Sequence, residues 1–371
     1  MTMHGSNSSQ LHMRPAGVKA RCMRGMMGFY FAIIALCVSG FLPGNVWASC
    51  SFLAGSTVTL TASLTGSITA GRDVPVGTEL YRSQAVVNTN TNINCDALSV
   101  FNYSYASTPL PVSGYVSSTF GNQPIYQTNI PGIGVVAWAG SQSQAFPANF
   151  NSVGAGSNYS WGTHRFYFSL VKTASVVGSG AITASSLPTV QYRIGSNNLL
   201  VELGSASGSL NVITGTCATP DINVSMGTHL TSELTGVGST TSQWVPVNIQ
   251  LNNCPAFFGY WSSTNTDGAT STALIGANSI QYSISPSNGV ANATNGVMNL
   301  SSGGATGMGI QLTNTSNAPV QFNKATPSGL TLNQTSSANY TINLQARYYQ
   351  TGTSITAGAA NATATVTLTY L

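Results

Sequence analysis

The chain has 371 residues, 42% of them hydrophobic and only 5% charged, with a formal net charge of +4 at neutral pH. The positive excess lies wholly at the start, because beyond residue 48 the basic residues Arg72, Arg82, Arg165, Lys172, Arg193, Lys324 and Arg347 are balanced by 7 acidic ones. A neutral chain this poor in Lys and Arg has no electrostatic footprint for nucleic acid or an anionic membrane, and both partner classes are excluded.

Arg14, Lys19, Arg21 and Arg24 precede the apolar run Met26 to Leu42, and Val46-Trp47-Ala48 puts small residues where a signal peptidase reads. Residues 1–48 therefore read as a secretory signal peptide cleaved after Ala48, with Met13 and Met23 as alternative starts. A membrane anchor is the competing reading, but the run sits at the lower limit for spanning and is broken by Gly and Ser. After cleavage four cysteines remain, Cys50, Cys95, Cys217 and Cys254. Export means an oxidising compartment, where an even number of cysteines reads as disulfides. Three pairings exist; the sequential one, Cys50–Cys95 and Cys217–Cys254, keeps one bridge in each half and is the expected one. A metal site needs Cys or His two to four apart, and the sequence has none, so neither a metal nor another cofactor is expected.

The two halves begin alike, each with a cysteine, a Thr/Ser-rich stretch and a second cysteine. In the first, Val58, Leu60, Ala62 and Leu64 alternate with Thr57, Thr59, Thr61 and Ser63, the period of a half-buried strand. Phe166, Phe168 and Leu170 repeat that pattern, as do Val245, Val247, Ile249 and Leu251, and then Met308, Ile310 and Leu312. No stretch beyond the leader carries a helical period with caps at both ends. The fold class is all-β, with two sandwich domains expected at 49–212 and 213–371.

The chain ends on Tyr340 to Tyr348 and then Ala362 to Tyr370, each with strand alternation, and stops there. A sheet rarely leaves such an edge bare, so this terminus is expected to pair with a partner. Ala346-Arg347-Tyr348, the run Thr356 to Ala362 and Tyr370 beside the last residue make the stretch resemble the C-terminus of pilin domains assembled by the chaperone–usher route. Gly304 to Leu312 and Gly358 resemble that family as well, and the Cys217 to Cys254 spacing fits its bridge. The resemblance implies an immunoglobulin-like sandwich lacking its last strand. A periplasmic chaperone and later an adjacent pilus subunit would supply that strand, after passage through an outer-membrane usher. It implies a groove served by Val366, Leu368, Tyr370, Leu371, Gly358, Ile310 and Leu312.

In the first half, Arg72 to Gly77 and Tyr126 to Gly134 resemble the receptor-binding domain of two-domain fimbrial tip adhesins such as the type 3 fimbrial adhesin. Cys50 lies almost at the start of the exported chain, leaving no extension to donate to a neighbour, which is the expectation for a subunit at the fimbrial tip on the cell surface. Neutral hydrogen-bonding side chains with aromatic faces suit a host-surface glycan or a matrix protein. Trp161 and His164, placed by the pattern in a loop before the strand of Phe166, are the candidate contacts, with Trp138 and Tyr103. Pro131 to Gly134 reads as a structural turn. Only His164 and His229 remain as histidines, the carboxylates are scattered singly, and no nucleophile elbow, phosphate loop or dinucleotide fingerprint appears, so an enzyme is not expected. The alternative to an adhesin is a structural minor pilin, or a subunit for aggregation and biofilm without a host receptor.

Overall fold

The computed structural model describes residues 49–261 and 275–371; the expected signal peptide lies outside them. The expected alternation is realised strand by strand. Val58–Leu64 buries every second residue, with Val58, Leu60, Ala62 and Leu64 inward and the threonines outward. It pairs in parallel with the long strand Leu199–Ile213. That strand belongs to a sheet ordered Gly180–Thr183, Leu199–Ile213, Thr189–Ile194, Ser99–Ser107 and Ala148–Val153. A second sheet runs Cys50–Ala54, Glu79–Cys95, Asn158–Lys172, Ile133–Trp138 and Tyr126–Gln127. Their apolar faces meet in one core that includes Leu60, Leu80, Phe101, Phe166, Phe168, Val201 and Leu210. Each such side chain contributes about 1.5–3 kcal/mol when fully buried.

Strand Ile133–Trp138 is buried along its whole length. One face turns to that core, and the other, with Val136 and Trp138, packs on Phe120, Ile125, Ala145 and Tyr167 in a smaller cluster. The turn before it is closed by Ile133 N–H on the carbonyl of Ile130 at 3.3 Å.

In the second half, Val245–Cys254, Ala338–Gln350, Met308–Asn314, Val297–Asn299 and Val290–Asn292 form one sheet, and Thr326–Pro327, Ile280–Pro286 and Ala364–Tyr370 form another. Val247 lies opposite Leu344 and Ile249 opposite Ile342, which stacks the inward residues of two strands on one face. A second core, separate from the first, gathers Ile249, Leu251, Ile284, Ile310, Leu312, Ile342 and Leu344. Consecutive strands at the end of the chain thus fall in opposite sheets. Among the described residues the helical segments are four short 3₁₀ turns.

The bridges are Cys50–Cys95 and Cys217–Cys254, closing separations of 45 and 37 residues. Between the halves, Thr69 N–H donates to the carbonyl of Gly259 at 2.9 Å, and its hydroxyl donates to that of Ala256 at 3.0 Å. Arg82 is buried in a bidentate pair with Glu79, with Nη2 to Oε2 at 2.7 Å, and Gln142 and Ser169 donate to the same carboxylate. Its guanidinium lies between the rings of Trp138 and Trp261, 5.0 and 4.5 Å from their centroids. A buried charge pair is tolerable only when its remaining hydrogen-bonding groups are satisfied, and this one is met from several sides.

Candidate functional site

The terminal strand Ala364–Tyr370 pairs with Ile280–Pro286 on one side only. In an antiparallel ladder successive residues turn their N–H and C=O groups alternately toward and away from the partner. Leu371 and Ser279 exchange both bonds, so the odd-numbered residues of the strand face Ile280–Pro286 and Ala364, Val366, Leu368 and Tyr370 face outward. Beside that outward edge lies an open groove of about 980 Å³. Its floor is Val247, Ile249, Ile284, Met298, Ile310, Leu312, Ala346 and Tyr348, all apolar apart from the tyrosine hydroxyl. One wall is the chain from Ala360 to Val366; the other is Thr219 to Thr228.

That second wall carries no ladder, yet Ile222, Val224 and Met226 are half-buried against the core while Asp221, Asn223 and Ser225 are exposed. It is a strand by pattern with no strand beside it. The Tyr370 hydroxyl accepts the Cys217 N–H at 3.1 Å, which ties the start of this wall to the end of the other through the disulfide. At the far end the Tyr348 hydroxyl donates to the carbonyl of Ala360 at 3.2 Å. Burial pushes the hydroxyls of both tyrosines above the ordinary tyrosine range. They stay neutral hydrogen-bonding groups at any physiological pH.

Of the groove residues expected from sequence, Ile310, Leu312 and Val366 line it, and Leu368 continues the same edge. Gly358, Tyr370 and Leu371 are placed elsewhere. Gly358 lies on the backbone of Ala305, whose nitrogen would be 2.8 Å from a Cβ there, so its smallness serves a chain crossing. Tyr370 is buried by its ring, and Leu371 is paired with Ser279. The second wall was not among the expected residues, although the alternation Ile222, Val224, Met226 is visible in the sequence.

The expected receptor contacts in the first half divide differently. Trp138 is fully buried, stacked on Tyr167 at 4.1 Å, with Nε1–H donating to Ser169 Oγ at 2.9 Å. Tyr103 is buried and stacks on Phe150 at 3.9 Å. His164 is 1% exposed, with Nδ1 2.6 Å from Glu202 Oε1 and Nε2 2.9 Å from Thr91 Oγ1. These three are interior residues, and as they stand none can touch a receptor. His164 also sits within the strand Asn158–Lys172, which begins earlier than the expected loop allows. Trp161, on the same strand, is half-buried and edges onto Phe101 at 5.4 Å, so it retains accessible ring.

The chain is thus all-β, one sandwich followed by another whose last strand has a free edge. The MrkD-like receptor binding domain family matches residues 63–204, and the fimbrial protein family matches residues 205–371; the chain is a fimbrial adhesin built of these two domains. A fimbria adhesin protein of Klebsiella pneumoniae is 25% identical over 332 residues, covering 88% of this chain and 95% of that one. Among solved structures, the receptor binding domain of the plasmid-born adhesin MrkD1P of Klebsiella pneumoniae is 20% identical over 46% of this chain and 98% of its own, with a TM-score of 0.33. The CupB6 tip adhesin of Pseudomonas aeruginosa is 16% identical over 87% of this chain and 95% of its own, with a TM-score of 0.36.

Proposed function

We propose that this adhesin sits at the fimbrial tip and attaches the bacterium to a host glycan or matrix protein through residues 49–212, while residues 213–371 anchor it by accepting a strand. The occupant of the groove is an extended segment of the adjacent fimbrial subunit, preceded during export by a strand of the periplasmic chaperone that carries the subunit to the usher. The observation that carries this reading is the outward edge from Ala364 to the Leu368 N–H, unpaired beside an apolar floor. Main-chain bonds to that edge hold a strand, and alternate apolar side chains fill the groove.

The test is co-expression of the chain with its chaperone and purification from the periplasm. An aspartate at Ile310, in the middle of the floor, should abolish co-purification; undiminished capture of Ile310→Asp would overturn the strand-acceptor reading. For attachment, the mature chain is screened on a glycan array and on immobilised matrix proteins. Saturable binding weakened at least about tenfold by Trp161→Ala, equivalent to about 1.4 kcal/mol, is the expected result. No binding on either panel by the folded, oxidised protein would favour the structural pilin instead.

A further inference from the structure

The outward edge of the terminal strand is free only in part. Tyr370 N–H donates to Asp73 Oδ2 at 2.8 Å, and the Tyr370 carbonyl accepts Asp73 N–H at 3.0 Å. Both outward groups of Tyr370 are therefore taken by one residue of the receptor-binding domain, which occupies the place of a neighbouring strand. One step back, Arg72 Nη2 donates to the carbonyl of Leu368 at 2.9 Å while the same guanidinium pairs with Asp73 and lies 5.5 Å from the Tyr370 ring centroid. Among the described residues, the N–H groups of Ala364, Val366 and Leu368 and the carbonyls of Ala364 and Val366 have no partner.

The turn is held from its own side. Lys172 Nζ donates to the carbonyls of Gly71 and Arg72 at 3.2 and 2.8 Å. Gly71 has no room for a side chain, since a Cβ there would be 2.7 Å from the Tyr370 carbonyl oxygen. The buried Asn278 donates to the carbonyls of both Thr69 and Leu371, each at 3.2 Å, so the end of the strand and the root of the turn share one amide.

On the reading that an extended strand enters the groove, we propose that Gly71-Arg72-Asp73 of the receptor-binding domain is the groove's end wall. An incoming strand pairs with Ala364 and Val366, reaches the Leu368 N–H and stops there, because continuing would require breaking the bonds of Arg72 and Asp73 and lifting one domain off the other. The partner is thus an extended peptide of limited length, with apolar side chains at alternate positions, and the receptor-binding domain takes part in measuring it.

The test uses the mature full chain and two synthetic peptides alternating Val and Thr, one spanning Ala364 to Leu368 and one continuing past Tyr370, each read by fluorescence anisotropy. In the unaltered chain the longer peptide should gain no more than about twofold over the shorter. In Arg72→Ala/Asp73→Ala the ratio should rise by about tenfold, as expected for one or two added hydrogen bonds. Arg72→Ala alone, which removes a half-exposed side chain and leaves the Asp73 bonds in place, should shift the ratio in the same direction by less. Amide exchange supplies the second readout: Tyr370 N–H is protected before any peptide is added, Val366 and Leu368 only afterwards. Equal gains from the longer peptide in all three chains, or an unprotected Tyr370 with a bound short peptide, overturn the end wall while leaving strand acceptance standing. Failure of both peptides to bind overturns strand acceptance, and the end wall with it.

Discussion

His164 carries the clearest lesson at the level of one residue. Its neighbourhood, Asn158 to His164, is polar and aromatic and suits an exposed ligand loop, yet the residue is sealed between Glu202 and Thr91. The sequence holds no sign of this, because Glu202 lies 38 residues away on another strand and only the pairing of sheets brings the two together. Removing the imidazole leaves a carboxylate buried among Tyr103, Tyr192 and Trp161 without its main partner. His164→Ala should destabilise the domain by about 1–3 kcal/mol in urea unfolding, as leaving a buried polar group without its hydrogen-bond partner does. A loss within the range of an exposed substitution would show that the pair contributes little.

The same pair sets a pH dependence. Burial pushes the Glu202 carboxyl above its ordinary value of 4.5, against the hydrogen bond from His164, which pulls it down. With the folded value above the unfolded one, the folded state binds the proton more readily. This contribution to stability is complete below the ordinary carboxylate range and is lost as pH rises through the folded value. Glu202→Gln keeps a hydrogen-bonding group and removes the titration. Urea midpoints measured from pH 4 upward should fall less steeply for this variant than for the parent, and parallel profiles would exclude Glu202 as the source.

At the level of the strand, alternation was a reliable guide wherever one face is buried and the other is wet. Val58–Leu64, Ala338–Gln350 and Ala364–Tyr370 all follow it. Alternation fails at Ile133–Trp138, where both faces are covered and Trp138, which looks like a ligand platform, is packing. The alternation of Ile222, Val224 and Met226 is a weaker signal, because the flanking polar residues lack the threonine signature of the other strands. The Cys217–Cys254 bridge fixes the start of this second wall, so its loss should be felt in the groove. Replacing both cysteines with serine should cost about 2–4 kcal/mol in denaturant unfolding and should weaken chaperone capture under conditions where the oxidised chain is captured fully. Full capture of the double variant at unchanged stability would separate the bridge from the groove.

At the level of the whole molecule, the question is how two separate cores come to act together. The matched families meet at residues 204 and 205, in the middle of the strand Leu199–Ile213. Position along the chain therefore says nothing about the contacts that join the domains, which come from residues far apart in sequence. Trp261 is the residue that tests this. It is 5% exposed and covers the Arg82 guanidinium from the fimbrial domain, while Trp138 covers it from the receptor-binding one. Ring contacts of this kind reach about 2 kcal/mol when desolvated, and losing one ring leaves the Glu79–Arg82 pair intact but open to water on that side. Trp261→Ala should thus weaken the connection between domains without breaking the charge pair inside one of them. In calorimetry the oxidised mature chain should unfold with overlapping transitions, and the variant should resolve them by lowering the one that reports the contact. Arg82→Ala should instead lower the receptor-binding domain itself by about 3–5 kcal/mol, because the Glu79 carboxylate loses its cation and keeps only the neutral donors Gln142 and Ser169. If Trp261→Ala and Arg82→Ala depress the same single transition equally, the two cores are one cooperative unit and Trp261 belongs to the fold rather than to the junction.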